Sequence, residues 1–170
     1  DHYSVEYTFR DGTKFWLEGR NAMKTHNEFA SYVHGTKGMA VVSTAGHFPS
    51  KAMTFKGQNK DPKNLIWRGK QPEPNPYDLE WQDLIDAIVN GKPYSEVERG
   101  AMASLVTVMG RMSAHNGQAV TFDQLMAHDH EFAPDVDKLT LDGPAPLKAD
   151  ANGKYPIPYP GRHGMYEYVV

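Results

Sequence analysis

Asn75-Pro76-Tyr77-Asp78-Leu79-Glu80-Trp81-Gln82-Asp83-Leu84-Ile85-Asp86-Ala87-Ile88-Val89-Asn90-Gly91-Lys92-Pro93 is the run from which the fold is read. Asn75 is a good helix N-cap, and Pro76 falls at the first helical position, where its missing N–H costs nothing. Tyr77, Trp81, Leu84, Ile85 and Ile88 then recur at helical spacing, with Asp78, Gln82, Asp83 and Asp86 between them. Asn90-Gly91-Lys92-Pro93 stops the helix, because Gly accepts the left-handed position after it and Pro cannot continue it. Ser95 and Glu98 have the spacing of a capping box for a second helix reaching to Gly117. In that helix Val97, Ala101, Met102, Leu105, Val106, Val108, Met109 and Met112 leave little polar surface, which predicts burial on most sides. Two helices of this character need a sheet to cover them.

Outside this run the composition sets bounds. The chain of 170 residues, 39% hydrophobic and 23% charged, is long enough for an ordinary globular domain with its own core. A net charge of −3 recommends neither nucleic acid nor an anionic membrane as a partner. No apolar run approaches the 18 or so residues of a membrane span, and no stretch reads as a signal peptide. With no cysteine there is no disulfide framework and no thiolate chemistry. The sequence runs from Asp1-His2-Tyr3 straight into strand pattern, which suggests a piece of something longer.

Tyr3, Val5, Tyr7 and Phe9 alternate with Ser4, Glu6 and Thr8, the pattern of a half-buried strand. The turn at Arg10-Asp11-Gly12 fixes the register of the next strand. A two-residue Asp-Gly loop would set Tyr7 opposite Trp16 and mix Phe9 with Lys14 on one face. A three-residue loop with Gly12 in the left-handed bulge position instead pairs Tyr7 with Phe15 and Val5 with Leu17. Only the second gives one clean apolar face, since a slip of one residue exchanges the faces. The opposite face then carries His2, Glu6, Lys14, Trp16, Glu18 and Arg20. An aromatic plate with charged hydrogen-bonding groups beside it suits a sugar-binding surface; a plain solvated sheet face is the competing reading.

A second strand pair is expected at residues 29–34 and 39–43 around Gly35-Thr36-Lys37-Gly38, with shorter strands at 52–56 and 64–68. After the helices, Ala119-Val120-Thr121 reads as a short edge strand, and Thr121 as the cap of a short helix over residues 122–127. Beyond Asp129, Pro134, Pro144, Pro146, Pro156, Pro158 and Pro160 mark an extended tail, residues 131–170. Its tyrosines (Tyr155, Tyr159, Tyr166, Tyr168) favour docking on the domain or a neighbouring subunit over disorder.

Chemical motifs are sparse. His128-Asp129-His130-Glu131 invites a metal, yet a spacing of two puts its histidines on opposite sides of a strand, and no further ligand cluster is evident. His26, His34 and His47 are single and read as surface or hydrogen-bonded residues before catalytic bases. There is no Gly-x-Ser-x-Gly, no Gly-x-Gly-x-x-Gly after a strand and no P-loop. Glu80 and Asp83 lie one helical turn apart and read as solvated or ion-paired groups.

The order of the segments carries more. A hairpin leads through Val33-His34-Gly35-Thr36-Lys37-Gly38-Met39 to the run quoted first, then to Tyr94, to Glu98-Arg99-Gly100-Ala101-Met102-Ala103 and to Gly117-Gln118-Ala119-Val120-Thr121-Phe122-Asp123. In that order, over about residues 1–130, the chain resembles the C-terminal domain of the Gfo/Idh/MocA oxidoreductases, the glucose–fructose oxidoreductase and inositol dehydrogenase type. The likeness is greatest to the branch of secreted bacterial sugar-processing members, which points to an exported or periplasmic location before a cytoplasmic one. The resemblance implies an α+β fold, an open-faced and mainly antiparallel sheet with two main helices on one face. The other face would support homo-oligomer contacts and border a sugar pocket.

Members of that family bind NAD or NADP in a preceding Rossmann domain and move hydride between the nicotinamide and a sugar or polyol carbon. Their catalytic lysine, in a Glu-Lys-Pro motif, and the Asp/His pair after it lie upstream of Asp1, so no catalytic, cofactor-binding or metal residue is assigned here. The chain alone is expected to bind no dinucleotide and to lack oxidoreductase activity. Within the resemblance, His2, Trp16, Glu18, Arg20, Asn21 and His26 are the candidates for residues near the sugar, on face assignment and not on a family motif. One branch of the family uses its NAD for glycoside hydrolysis, which the residues here do not separate from simple redox chemistry. The alternative reading is a stand-alone, non-enzymatic module for carbohydrate capture or assembly.

Overall fold

A computed structural model describes residues 2–44, 52–129, 131, 135–145, 148–155 and 157–161. Among these residues the protein is α+β, and its strands all pair antiparallel. They divide between two open sheets, one of two strands and one of four, and the chain separates into two compact units. One comprises Asp1–Ala22 with Glu96–Val170, and the other Met23–Ser95.

The first unit begins with β1 (His2–Thr8) and β2 (Lys14–Arg20). Their register is the one argued from the turn: Val5 opposes Leu17 and Tyr7 opposes Phe15. Gly12 takes φ +85°, a left-handed conformation that costs glycine nothing. Asp11 Oδ1 accepts the Thr13 amide at 2.9 Å and helps to close the loop. That backbone hydrogen bond is the largest cause holding the Asp11 carboxyl below its ordinary range.

The apolar side of this hairpin rests on α2 (Val97–Asn116). Tyr7 donates its hydroxyl to the Val106 carbonyl at 3.1 Å, and its ring tilts against Phe15 with centroids 5.6 Å apart. The approach depends on Gly110: a Cβ there would meet the Tyr7 hydroxyl oxygen at 2.0 Å. Burial raises the Tyr7 hydroxyl above its ordinary pKa, and Tyr3 nearby adds to the effect. The core beyond is Met112, Val120 and Leu125, with Leu105, Val108 and Met109 packed against it. Thr121 caps α3 (Phe122–Ala127) in a full capping box with Gln124, as its spacing predicts.

Three expectations for this unit need correction. α2 starts one residue later than the Ser95/Glu98 box requires, so its N-cap is Glu96, with no side-chain capping bond. Arg99 and not Glu98 then occupies the third helical position, and its guanidinium pairs with Glu96 at 2.5 Å. Nor is α2 buried on most sides: Val97, Met102 and Val106 are exposed, and burial is confined to its C-terminal half. Residues 119–121 form no strand; the turn before them is closed by the Gln118 amide donating to Asn116 Oδ1 and the Ser113 hydroxyl donating to the Gln118 carbonyl. Val120 is nevertheless buried. Of the tail, the Gly161 amide reaches the Asn116 carbonyl, while Tyr166 and Tyr168 lie outside the described residues.

The second unit holds β3 (Ser31–His34), β4 (Gly38–Ser43), β5 (Met53–Lys56) and β6 (Leu65–Arg68), side by side in chain order. Alternate residues Met39, Val41 and Phe55 are buried together, flanked by Tyr32 and Met53. At one end Gln58 ties the β3–β4 turn: its Nε2 donates to the Gly35 and Gly38 carbonyls at 2.7 and 3.3 Å. That leaves its oxygen facing His34 Nδ1 at 2.8 Å, so the proton sits on Nδ1 and His34 is hydrogen-bonded into the turn. His47 lies outside the described residues.

The helix α1 (Pro76–Val89) belongs to this unit too. Asn75 Oδ1 accepts the Tyr77 amide at 3.1 Å, and Gly91 follows the helix at φ +59°, the start and stop read from the sequence. Its apolar stripe remains open: Tyr77, Trp81, Ile85 and Ile88 are each more than half exposed.

Candidate functional site

Strand alternation gathers the candidate residues. On the side of the hairpin away from α2, four rows run along the sheet: His2 opposite Arg20, Ser4 opposite Glu18, Glu6 opposite Trp16, and Thr8 opposite Lys14. Trp16 stands out of this surface with 57% of its area exposed. Glu6, which faces it across the ladder, is fixed by an ion pair with Lys14 and a 2.9 Å hydrogen bond from Thr8. Lys14 also donates to Thr8 at 2.9 Å. Glu18, two residues along from Trp16, accepts the Ser4 hydroxyl at 2.6 Å.

The structure thus brings together His2, Trp16, Glu18 and Arg20, and Asn21 follows directly on β2. His26 lies in the Met23–Ser95 unit, apart from the hairpin in the division of the chain. Arg20 and His26 each have an interaction partner of their own. What the candidate set omits is Ser4, which donates to Glu18, and Glu6 with its partners Lys14 and Thr8. Their signal was present in the alternation of β1 and β2, which puts every even-numbered residue on the Trp16 side.

The Lys14 hydrogen bond is the largest cause holding the Glu6 carboxyl below its ordinary range, followed by that of Thr8. A carboxylate depressed in the folded state adds stability above its unfolded pKa, and that contribution disappears as the pH falls through the folded value. Lys14→Met should therefore move the Glu6 titration upward toward an ordinary glutamate, measured from its side-chain carbon resonance. An unmoved titration would show that Lys14 does not hold this carboxylate.

The concave surface of this unit lies on the other side of the hairpin. A groove of about 580 Å³ runs between Tyr7, Phe9 and Phe15 on the strands and Val106, Met109 and Phe122 on the helical side. A smaller hollow of about 330 Å³ opens between Tyr3, Leu17, Thr107, Arg111 and His115. None of the six candidates lines either one. The groove escaped sequence reasoning because its walls come from strands and helices far apart in the chain. Comparison with protein-family models, curated proteins and solved structures finds no match.

Among the described residues no group of three or more His, Asp or Glu side chains converges to hold a metal; His130 lies outside them. Among the described residues both sheets are antiparallel, and no strand passes through a glycine-rich turn directly into a helix. No described helix is long and apolar enough to cross a membrane.

Proposed function

We propose that this chain is the substrate-side and oligomer-forming part of an NAD(P)-dependent oxidoreductase acting on a sugar or polyol, with the dinucleotide held by a domain outside these residues. The observation that carries the reading is the two-sidedness of the hairpin. One face packs on α2, and the other offers Trp16 with hydrogen-bonding side chains fixed around it. This is the arrangement expected of an open-faced sheet that backs onto helices and turns its free face toward substrate or a second subunit. The order of the sequence segments supplies the rest of the support.

An indole plate offers a ring-shaped ligand a large apolar contact, while carboxylates and guanidinium groups beside it take up hydroxyls. In the intact parent, Trp16→Ala and Arg20→Ala are expected to lower kcat/KM for the sugar by about tenfold or more each, the loss of one well-made contact. Assembly, followed by light scattering, should not change. Unchanged kinetic constants in both variants would remove this face from the site. Calorimetry of the 170 residues alone should show no binding of NAD or NADP; tight binding would overturn the proposed division of labour.

A further inference from the structure

We propose that the Trp16 face selects a neutral polyhydroxylated sugar over a sugar acid or an amino sugar. The inference rests on the reading of this face as a sugar site and adds the charge class of the ligand.

Around Trp16 the open face carries the carboxylates of Glu6 and Glu18 and the cations of Lys14 and Arg20, two charges of each sign. They are interleaved rather than segregated. Toward the hairpin tip, Glu6, Lys14 and Thr8 satisfy one another, leaving no net charge there to attract an ion. Toward the other end, Glu18 and Arg20 follow each other at alternate positions of β2, again one of each sign. An anionic ligand stacked on the indole would meet Glu6 and Glu18 as nearly as Lys14 and Arg20, and a cationic ligand would meet the reverse. Either would meet a like charge as nearly as an opposite one, and would shed part of its hydration against the indole for no net attraction.

A hydroxyl both donates and accepts, and this surface holds both kinds of partner side by side. Glu18 Oε1 is already engaged by Ser4 at 2.6 Å, which orients the carboxylate while leaving it further acceptor capacity. The Arg20 guanidinium has five N–H groups and His2 a ring nitrogen at the end of the same face. Trp16 supplies the apolar plate for the C–H side of the ring.

The test uses the full chain labelled with nitrogen-15. The Trp16 indole resonance is assigned by its absence in Trp16→Phe, and the indoles of Trp67 and Trp81 serve as internal references. Methyl glucoside, glucuronate and glucosamine are titrated at matched ionic strength. Methyl glucoside is expected to shift the Trp16 signal with a Kd roughly two- to fivefold below those of the charged sugars, the scale of an exposed ion pair. Glu18→Gln should turn the preference toward glucuronate, and Arg20→Gln toward glucosamine, by a similar factor. A charged sugar binding more tightly to the unaltered chain, or a preference that ignores both substitutions, overturns the inference and leaves the sugar-site reading standing. If none of the three sugars moves the Trp16 signal, the sugar-site reading itself fails.

Discussion

Gly38→Ala is expected to destabilise the four-stranded sheet by about 3 kcal/mol, the largest effect of any single methyl group considered in this protein. A Cβ at Gly38 would lie 2.2 Å from the Phe55 carbonyl oxygen and 3.3 Å from its carbon. Both atoms are backbone, so no side-chain rotation relieves the overlap. Gly38 is paired with Lys56 on β5 and bridged to Gly57, and Met39 beside it is paired with Phe55. Moving β5 away would break these hydrogen bonds and open the packing of Met39, Val41 and Phe55. Gly35→Ala is the matched control, because its Cβ would meet only the Gly38 carbonyl, at 3.5 Å, an ordinary contact. Urea unfolding should show the control within about 0.5 kcal/mol of the unaltered chain. Equal losses in the two variants would mean that the close approach of β4 and β5 is not as described.

The second large effect concerns Gly110 and carries a sign that can reverse. In an exposed helix, alanine is better than glycine by about 1 kcal/mol. At Gly110 the added Cβ would sit 2.0 Å from the Tyr7 hydroxyl oxygen and 2.9 Å from Cζ, so Tyr7 must leave the Val106 carbonyl. Overpacking of roughly 1–3 kcal/mol, with about 1 kcal/mol for the lost hydrogen bond, outweighs the gain in helix propensity. Gly110→Ala should therefore destabilise the protein by about 2 kcal/mol. In a Tyr7→Leu background the obstructing hydroxyl is gone, and the same substitution should become neutral or stabilising. A cycle in which Gly110→Ala costs the same with and without Tyr7 would refute the contact.

These two glycines show what could and could not be read in advance. The hairpin register was legible because one local decision, Gly12 in a left-handed bulge, propagates with period two along both strands. The Asn75 and Thr121 caps were legible for the same reason: a cap is a contract among residues within one helical turn. The Ser95 box failed by a single position, since Glu96 two residues before Glu98 competes for the same helix start. The tight spots at Gly38 and Gly110 have no local signature, because each is set by a backbone or side chain brought in from elsewhere in the chain.

The candidate site divides along the same line. Membership of the Trp16 face followed from alternation alone, and so His2, Trp16, Glu18 and Arg20 were found together. Whether His26 belongs near them depends on how the chain partitions, and no pattern around Asn21-Ala22-Met23 announces the change of unit. The apolar groove beneath Phe15 was invisible because about half of its wall comes from α2 and the segment after it, far along the chain. Likewise the partition of antiparallel strands into sheets of two and four follows from pairing choices that strand-forming residues do not advertise.

The Tyr7–Val106 hydrogen bond spans 99 positions of the chain. On a ribosome, the hairpin must wait with its greasy side uncovered until α2 has followed it out, while the intervening Met23–Ser95 segment can settle independently. The outer unit is thus nested around the inner one in time as well as in sequence, and its closure is the late, entropically slow step of folding.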